Sequence, residues 1–67
     1  MFDAIKLEEK VKESGLKKVY IADKLGITYQ GYRKKESGES EFTSSEISIL
    51  KDILRLTNKE IAEIFLQ

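Results

Sequence analysis

Tyr29, Gln30 and Arg33 stand close together in the segment TYQGYRKK, residues 28–35, and their side chains suit one kind of chemistry. Glutamine can bond the edge of adenine at two points and arginine that of guanine at two. A tyrosine can meet a thymine methyl or a phosphate. On a helix that starts near Thr28 these three project from one face, with Lys34 flanking them. Lys17 and Lys18 fall at the expected start of the preceding helix, where amides and ammonium groups can grip a phosphate. Thr28 and Ser37, at the two ends of the second helix, join Lys17, Lys18 and Lys34 as expected contacts to a nucleic-acid backbone. Gly31 lies between them, and a mid-helix glycine costs about 1 kcal/mol relative to alanine. Close approach to DNA or to the neighbouring helix is the expected compensation.

Two short helices must position these groups. In LKKVYIADKLGITYQGYRKKESG, residues 16–38, Ile21, Ala22 and Leu25 share one side of a first helix. Gly26 ends it, since a left-handed terminal residue carries no side-chain penalty there. Ile27 plugs the corner, and Thr28 stands as the N-cap of a second helix running to about Glu36. Tyr32 is expected in the core. Lys35 is expected half-buried, its stem on the core and its ammonium outside. Tyr20 has no assigned role. The layout is that of a helix-turn-helix, spanning about residues 17–37, whose second helix (residues 28–36) would lie in a DNA major groove.

Charge is unevenly spread. The chain carries 12 basic and 12 acidic side chains. Between Leu16 and Gly38, however, six cations face only Asp23 and Glu36, a local charge of +4. Phosphate contacts respond to local potential, so a neutral chain can still present a positive face. The absence of Cys and His excludes disulfides, thiolate or imidazole metal sites and His-based catalysis. Carboxylates are spread over separate wet faces, with no phosphate-binding glycine loop and no nucleophile beside a base. No enzyme activity, metal or cofactor is therefore expected. No run reaches the roughly 18 apolar residues of a membrane span, and the acidic N-terminal stretch lacks the order of a signal peptide. A cytoplasmic protein is expected.

Small Ala22 with Gly26 four residues on, and apolar Ile21, Leu25, Ile27 and Tyr32, is similar to the Cro and lambda-repressor-like family of phage and bacterial regulators. ADKLGITYQG resembles the corresponding part of lambda-type repressors. SGESEFTSSEISIL and LRLTNKEIAEIF resemble later segments of small phage-encoded members, so the likeness runs from the first helix to Phe65. Three positions depart from the family pattern: Lys18 where Gln is usual, Lys35 where an apolar residue usually packs, and Tyr32 in place of a branched aliphatic. The resemblance implies an all-α, compact five-helix domain that binds operator DNA in a bacterial host cell and regulates transcription, as a repressor or Cro-like protein does.

The remaining segments complete one domain of 67 residues. A first helix is expected from near Asp3 to Gly15, with Ala4, Leu7 and Val11 inward and Ile5 at the edge. Its wet side would carry a Glu8–Lys12 pair. Phe42 is expected to plug the core from the only extended loop. Thr43 with Glu46, and Thr57 with Glu60, have capping-box spacing and open two more helices. Ile47, Leu50 and Leu54 form the expected buried stripe of the fourth, with Ile53 beside it. In the fifth, Ile61, Phe65 and Leu66 cannot all reach one small core. They are expected to form a homodimer interface, which suits two half-sites. A rival expectation is a protein-binding helix-turn-helix module that modulates a partner repressor. An antitoxin is a weaker third.

Overall fold

The computed structural model describes residues 1–66, in which five helices and no strand occur. They are α1 (Ala4–Ser14), α2 (Lys18–Leu25), α3 (Tyr29–Glu36), α4 (Ser44–Leu54) and α5 (Asn58–Phe65). Local chemistry sets most of their ends. Asp3 caps α1 by accepting the Lys6 amide at 3.0 Å, and Gly15 closes it at φ 73°. Both expected capping boxes are formed. Thr43 accepts the Glu46 amide at 3.2 Å while the Glu46 carboxylate accepts the Thr43 amide at 2.8 Å. Thr57 and Glu60 repeat this at 3.1 and 2.8 Å. Each box satisfies two amides that the first turn leaves without partners.

The core draws on all five helices. Leu7, Val11, Ile21, Ala22, Leu25, Tyr32, Leu50, Leu54, Leu56 and Ile64 are buried. Phe2, Phe42 and Phe65 form a ring cluster beside them, with centroids 5.7–5.9 Å apart. Tyr32 touches the cluster through Phe42 at 6.2 Å. Phe42 thus plugs the core as expected, although it remains half-buried.

Two expectations are corrected here. The inward row of α4 is Glu46, Leu50 and Leu54, and Ile47 is only half-buried. The capping box and an ion pair from Lys35 to Glu46 at 2.6 Å draw the Glu46 side chain down, which turns Ile47 toward the rim. On α1 there is no Glu8–Lys12 pair among the described residues. Lys6 reaches Glu63 at 3.0 Å and Lys10 reaches Glu60 instead, because α5 packs alongside α1. Leu56, not expected inside, is buried. It follows Arg55, which ends α4 at φ 55°, and donates its amide to the Lys51 carbonyl at 2.9 Å.

The α1–α5 contact makes stability sensitive to acid. The Lys10 ammonium and the Thr57 amide hold the Glu60 carboxyl down at about 2, against an ordinary 4.5. Because the folded value is the lower one, the stabilisation is present above about pH 4.5 and is lost as pH falls through about 2. Thermal melts of the wild type and Glu60→Gln are expected to differ near neutral pH and to converge toward pH 2. A difference that persists unchanged at acid pH would contradict the assignment.

Candidate nucleic-acid interface

The turn between α2 and α3 is set by three consecutive residues. Gly26, at φ 72°, donates its amide back to the Ala22 and Asp23 carbonyls, and Ile27 donates to Ala22 at 3.1 Å. Thr28 then caps α3, its Oγ1 accepting the Gly31 amide at 3.0 Å. This cap also accounts for the glycine. A Cβ at residue 31 would lie 3.1 Å from Thr28 Oγ1, and no side chain of another helix stands as near. The close neighbour is the helix's own cap, not an adjacent helix.

The two sides of α3 differ sharply. Tyr32 is fully buried and Glu36 is 5% exposed. Tyr29, Gln30, Arg33 and Lys34 are exposed on the outer side. The inner side is fixed by a polar network. The Tyr32 hydroxyl donates to Glu36 Oε2 at 2.9 Å, and Lys18 Nζ donates to Glu36 Oε1 at 2.9 Å. Burial and the neighbouring Glu36 carboxylate push the Tyr32 hydroxyl far above its ordinary titration range. The network ties the first residue of α2 to the last turn of α3, so the outer face is held at a fixed angle to α2.

Lys18 therefore does not stand free beside a backbone phosphate, as expected from its position at a helix start. Its ammonium is engaged by a nearly buried carboxylate, and its role in this structure is to brace α3. Lys35 differs in a smaller way. Its stem is half-buried as expected, but its ammonium meets both oxygens of Glu46 at 2.6 and 2.8 Å, not open solvent. Burial raises the Glu46 carboxyl, but Lys35 and the Thr43 amide more than offset this and leave it below its usual range. Glu36 was legible only as a charge. The available signal was its spacing of four from Tyr32, which places it on the same inward face.

The remaining expected contacts lie as follows. Lys17 is the N-cap residue of α2, is exposed, and makes no side-chain cap bond. Thr28 is exposed with its hydroxyl oxygen occupied by the Gly31 amide. The Ser37 hydroxyl donates to the Lys34 carbonyl at 2.9 Å, so its proton is used within the helix end. Arg33 Nη1 donates to the Tyr29 hydroxyl at 3.0 Å, and its guanidinium lies 5.8 Å from the Tyr29 ring centroid. Tyr20 is exposed on α2, with Lys24 Nζ over its ring at 5.5 Å. Of the expected dimer residues, Ile61 and Phe65 are half-buried against the monomer's own core and Leu66 is 74% exposed.

Ion pairing sharpens the charge pattern. Lys6, Lys10, Lys18 and Lys35 each meet a carboxylate. Among the described residues none stands within 4.0 Å of Lys17, Lys24, Arg33 or Lys34. The unneutralised cations of the α2–α3 unit thus include two on the outer face of α3. Among the described residues no group of three or more acidic, His or Cys side chains is placed to hold a metal ion. No helix there is long and apolar enough to cross a membrane. Comparison with protein-family models, curated proteins and solved structures found no match to this chain.

Proposed function

We propose that this protein is a sequence-specific DNA-binding transcriptional regulator of the Cro and lambda-repressor-like kind, with α3 as the helix that enters the major groove. One observation carries the reading. The outer face of α3 offers two-point hydrogen-bonding side chains and unpaired cations, Gln30, Arg33 and Lys34, while its inner face is locked by Tyr32 and Glu36. Base edges are read by such side chains, and phosphates position the protein. Tyr29, Gln30 and Arg33 are assigned to base contact. Lys17, Thr28 and Lys34 are assigned to the backbone, with Lys18 and Ser37 supporting them from within the fold. Such a regulator would work in the cytoplasm of a bacterial host.

Arg33→Ala is expected to cost about 1–3 kcal/mol on a preferred duplex and to relax preference at one base position. Lys17→Ala is expected to weaken all duplexes nearly evenly and to lower the logarithmic salt slope by about one. Competition titrations at two salt concentrations measure both. If Arg33→Ala keeps full affinity and base preference, α3 is not the reader.

A homodimer is part of the proposal, since two copies related by a twofold axis match two half-sites. Leu66 and Met1 supply exposed apolar surface, and Met1 lies beside the rim of the phenylalanine cluster. Ile61 and Phe65 also serve the monomer core, so Leu66→Lys is the cleaner probe. Sedimentation is expected to show the wild type as a dimer at high micromolar concentration and the variant shifted to monomer. Identical monomers in both would remove the dimer from the proposal.

The rival reading, a module that docks on a partner repressor, draws on Val19 and Tyr20, apolar groups 56% and 44% exposed on α2. It requires Arg33→Ala and Lys17→Ala to leave any weak DNA affinity equally unselective.

A further inference from the structure

Tyr29 and Arg33 are joined before any ligand arrives. They lie four residues apart on the exposed side of α3, one turn of helix from each other. Arg33 Nη1 donates to the Tyr29 hydroxyl at 3.0 Å, and the guanidinium sits 5.8 Å from the ring centroid. No acidic side chain among the described residues holds the guanidinium within 4.0 Å. The tyrosine is thus the group that orients it. One of five N–H donors is used in this contact, and the planar fork keeps enough of the others for a two-point bond. An arginine held in advance loses less side-chain freedom on binding than a free one.

We infer that Tyr29 and Arg33 act as one composite reader whose target is a guanine with a thymine within two base steps of it. The inference rests on the proposed DNA-binding role of α3. Guanine presents O6 and N7 to the arginine fork, and thymine presents a C5 methyl that an apolar ring face can cover. The scale fits. Stacked bases rise about 3.4 Å per step, so the 5.8 Å between ring and guanidinium spans between one and two steps. The Tyr29 hydroxyl contributes nothing to the thymine contact. Its work is to steer Arg33, so the ring meets thymine directly while the hydroxyl acts on guanine only through Arg33.

This division separates Tyr29→Phe from Tyr29→Ala. Selection of preferred duplexes from a randomised pool is expected to give the wild type a guanine with a thymine one or two steps away. Arg33→Ala should lose the guanine preference. Tyr29→Phe should keep the thymine and weaken the guanine preference by roughly two- to tenfold, the fold-change of one modest hydrogen bond. Tyr29→Ala should weaken both. A wild-type preference lacking that guanine–thymine pair overturns the inference while leaving α3 as a DNA reader. So does a guanine preference that neither tyrosine variant alters. A pool in which the wild type selects no sequence removes the DNA-binding reading itself, and the inference with it.

Discussion

Phe42→Ala is expected to cost about 3 kcal/mol, the lower end of the range for deleting a packed phenylalanine, because the ring is half-buried and not enclosed. The effect is large for its position. Phe42 lies in the connection between α3 and α4, where Gly38, Glu39, Ser40 and Glu41 are all exposed. It anchors that connection by touching Phe2, Tyr32 and Phe65, with centroids 5.7–6.2 Å away. Without the ring, the cluster opens and the connection loses its hold on the core. A domain this small holds only a few kcal/mol in reserve, so a substantial unfolded fraction is expected at room temperature. Urea melts measure the loss. A change below about 1 kcal/mol would mean that the ring contributes as a surface residue does.

Glu36→Ala is expected to cost about 2–3 kcal/mol, by a different route. The substitution removes little volume from the apolar core but leaves the Tyr32 hydroxyl without its acceptor in a fully buried position. An orphaned buried polar group costs about 1–3 kcal/mol. The Lys18 ammonium, partly exposed, loses its partner at the same time, and its contribution is smaller because water can replace the carboxylate. Tyr32→Phe removes the orphan in advance. The double variant Tyr32→Phe, Glu36→Ala should therefore be more stable than the sum of the single losses, with a coupling of about 0.5–3 kcal/mol. Additivity within about 0.5 kcal/mol would mean that the hydroxyl and the carboxylate act independently. Because the network fixes α3 against α2, Glu36→Ala should also weaken the proposed duplex binding although Glu36 faces away from the outer side of the helix.

What was legible in the sequence is what depends on residues within one turn of each other. Asp3, Gly15, Gly26 and Thr28, and the Thr43–Glu46 and Thr57–Glu60 boxes, act on their own helix ends, and each stands where its spacing placed it. Of the expected α1 stripe Ala4, Leu7 and Val11, the last two are buried and Ala4 is half-buried. Ile21, Ala22 and Leu25 of α2 are all buried, as the same short-range periodicity places them. The partners of charged side chains were not legible in this way. Lys10 keeps its local partner Glu13 at 3.4 Å but also reaches Glu60, and Lys18, with no acid within a turn, reaches Glu36. Both Glu60 and Glu36 lie on other helices. Those pairings depend on which helices pack together, which no local pattern specifies. Leu56 was hidden for a related reason. It sits after the left-handed Arg55, and nothing in Arg55 as a residue type marks a positive φ.

The outer face of α3 shows the same division. The spacing of Tyr29, Gln30 and Arg33 placed them together, and all three are exposed there. The bond between Tyr29 and Arg33 joins two residues one turn apart, so it was available to a reading of i, i+4 pairs. Lys17 and Lys18, adjacent in sequence and alike in charge, are separated only by the tertiary structure: one remains open and the other braces α3.

Selection from a randomised duplex pool, carried out at low and at moderate salt with the folded state checked by circular dichroism, tests the proposed DNA-binding role most directly. The expected result is enrichment of one sequence class, with affinity that falls linearly in the logarithm of salt concentration, as it does when lysine and arginine displace counterions from phosphates. The contradicting result is a folded protein that enriches no sequence even at low salt.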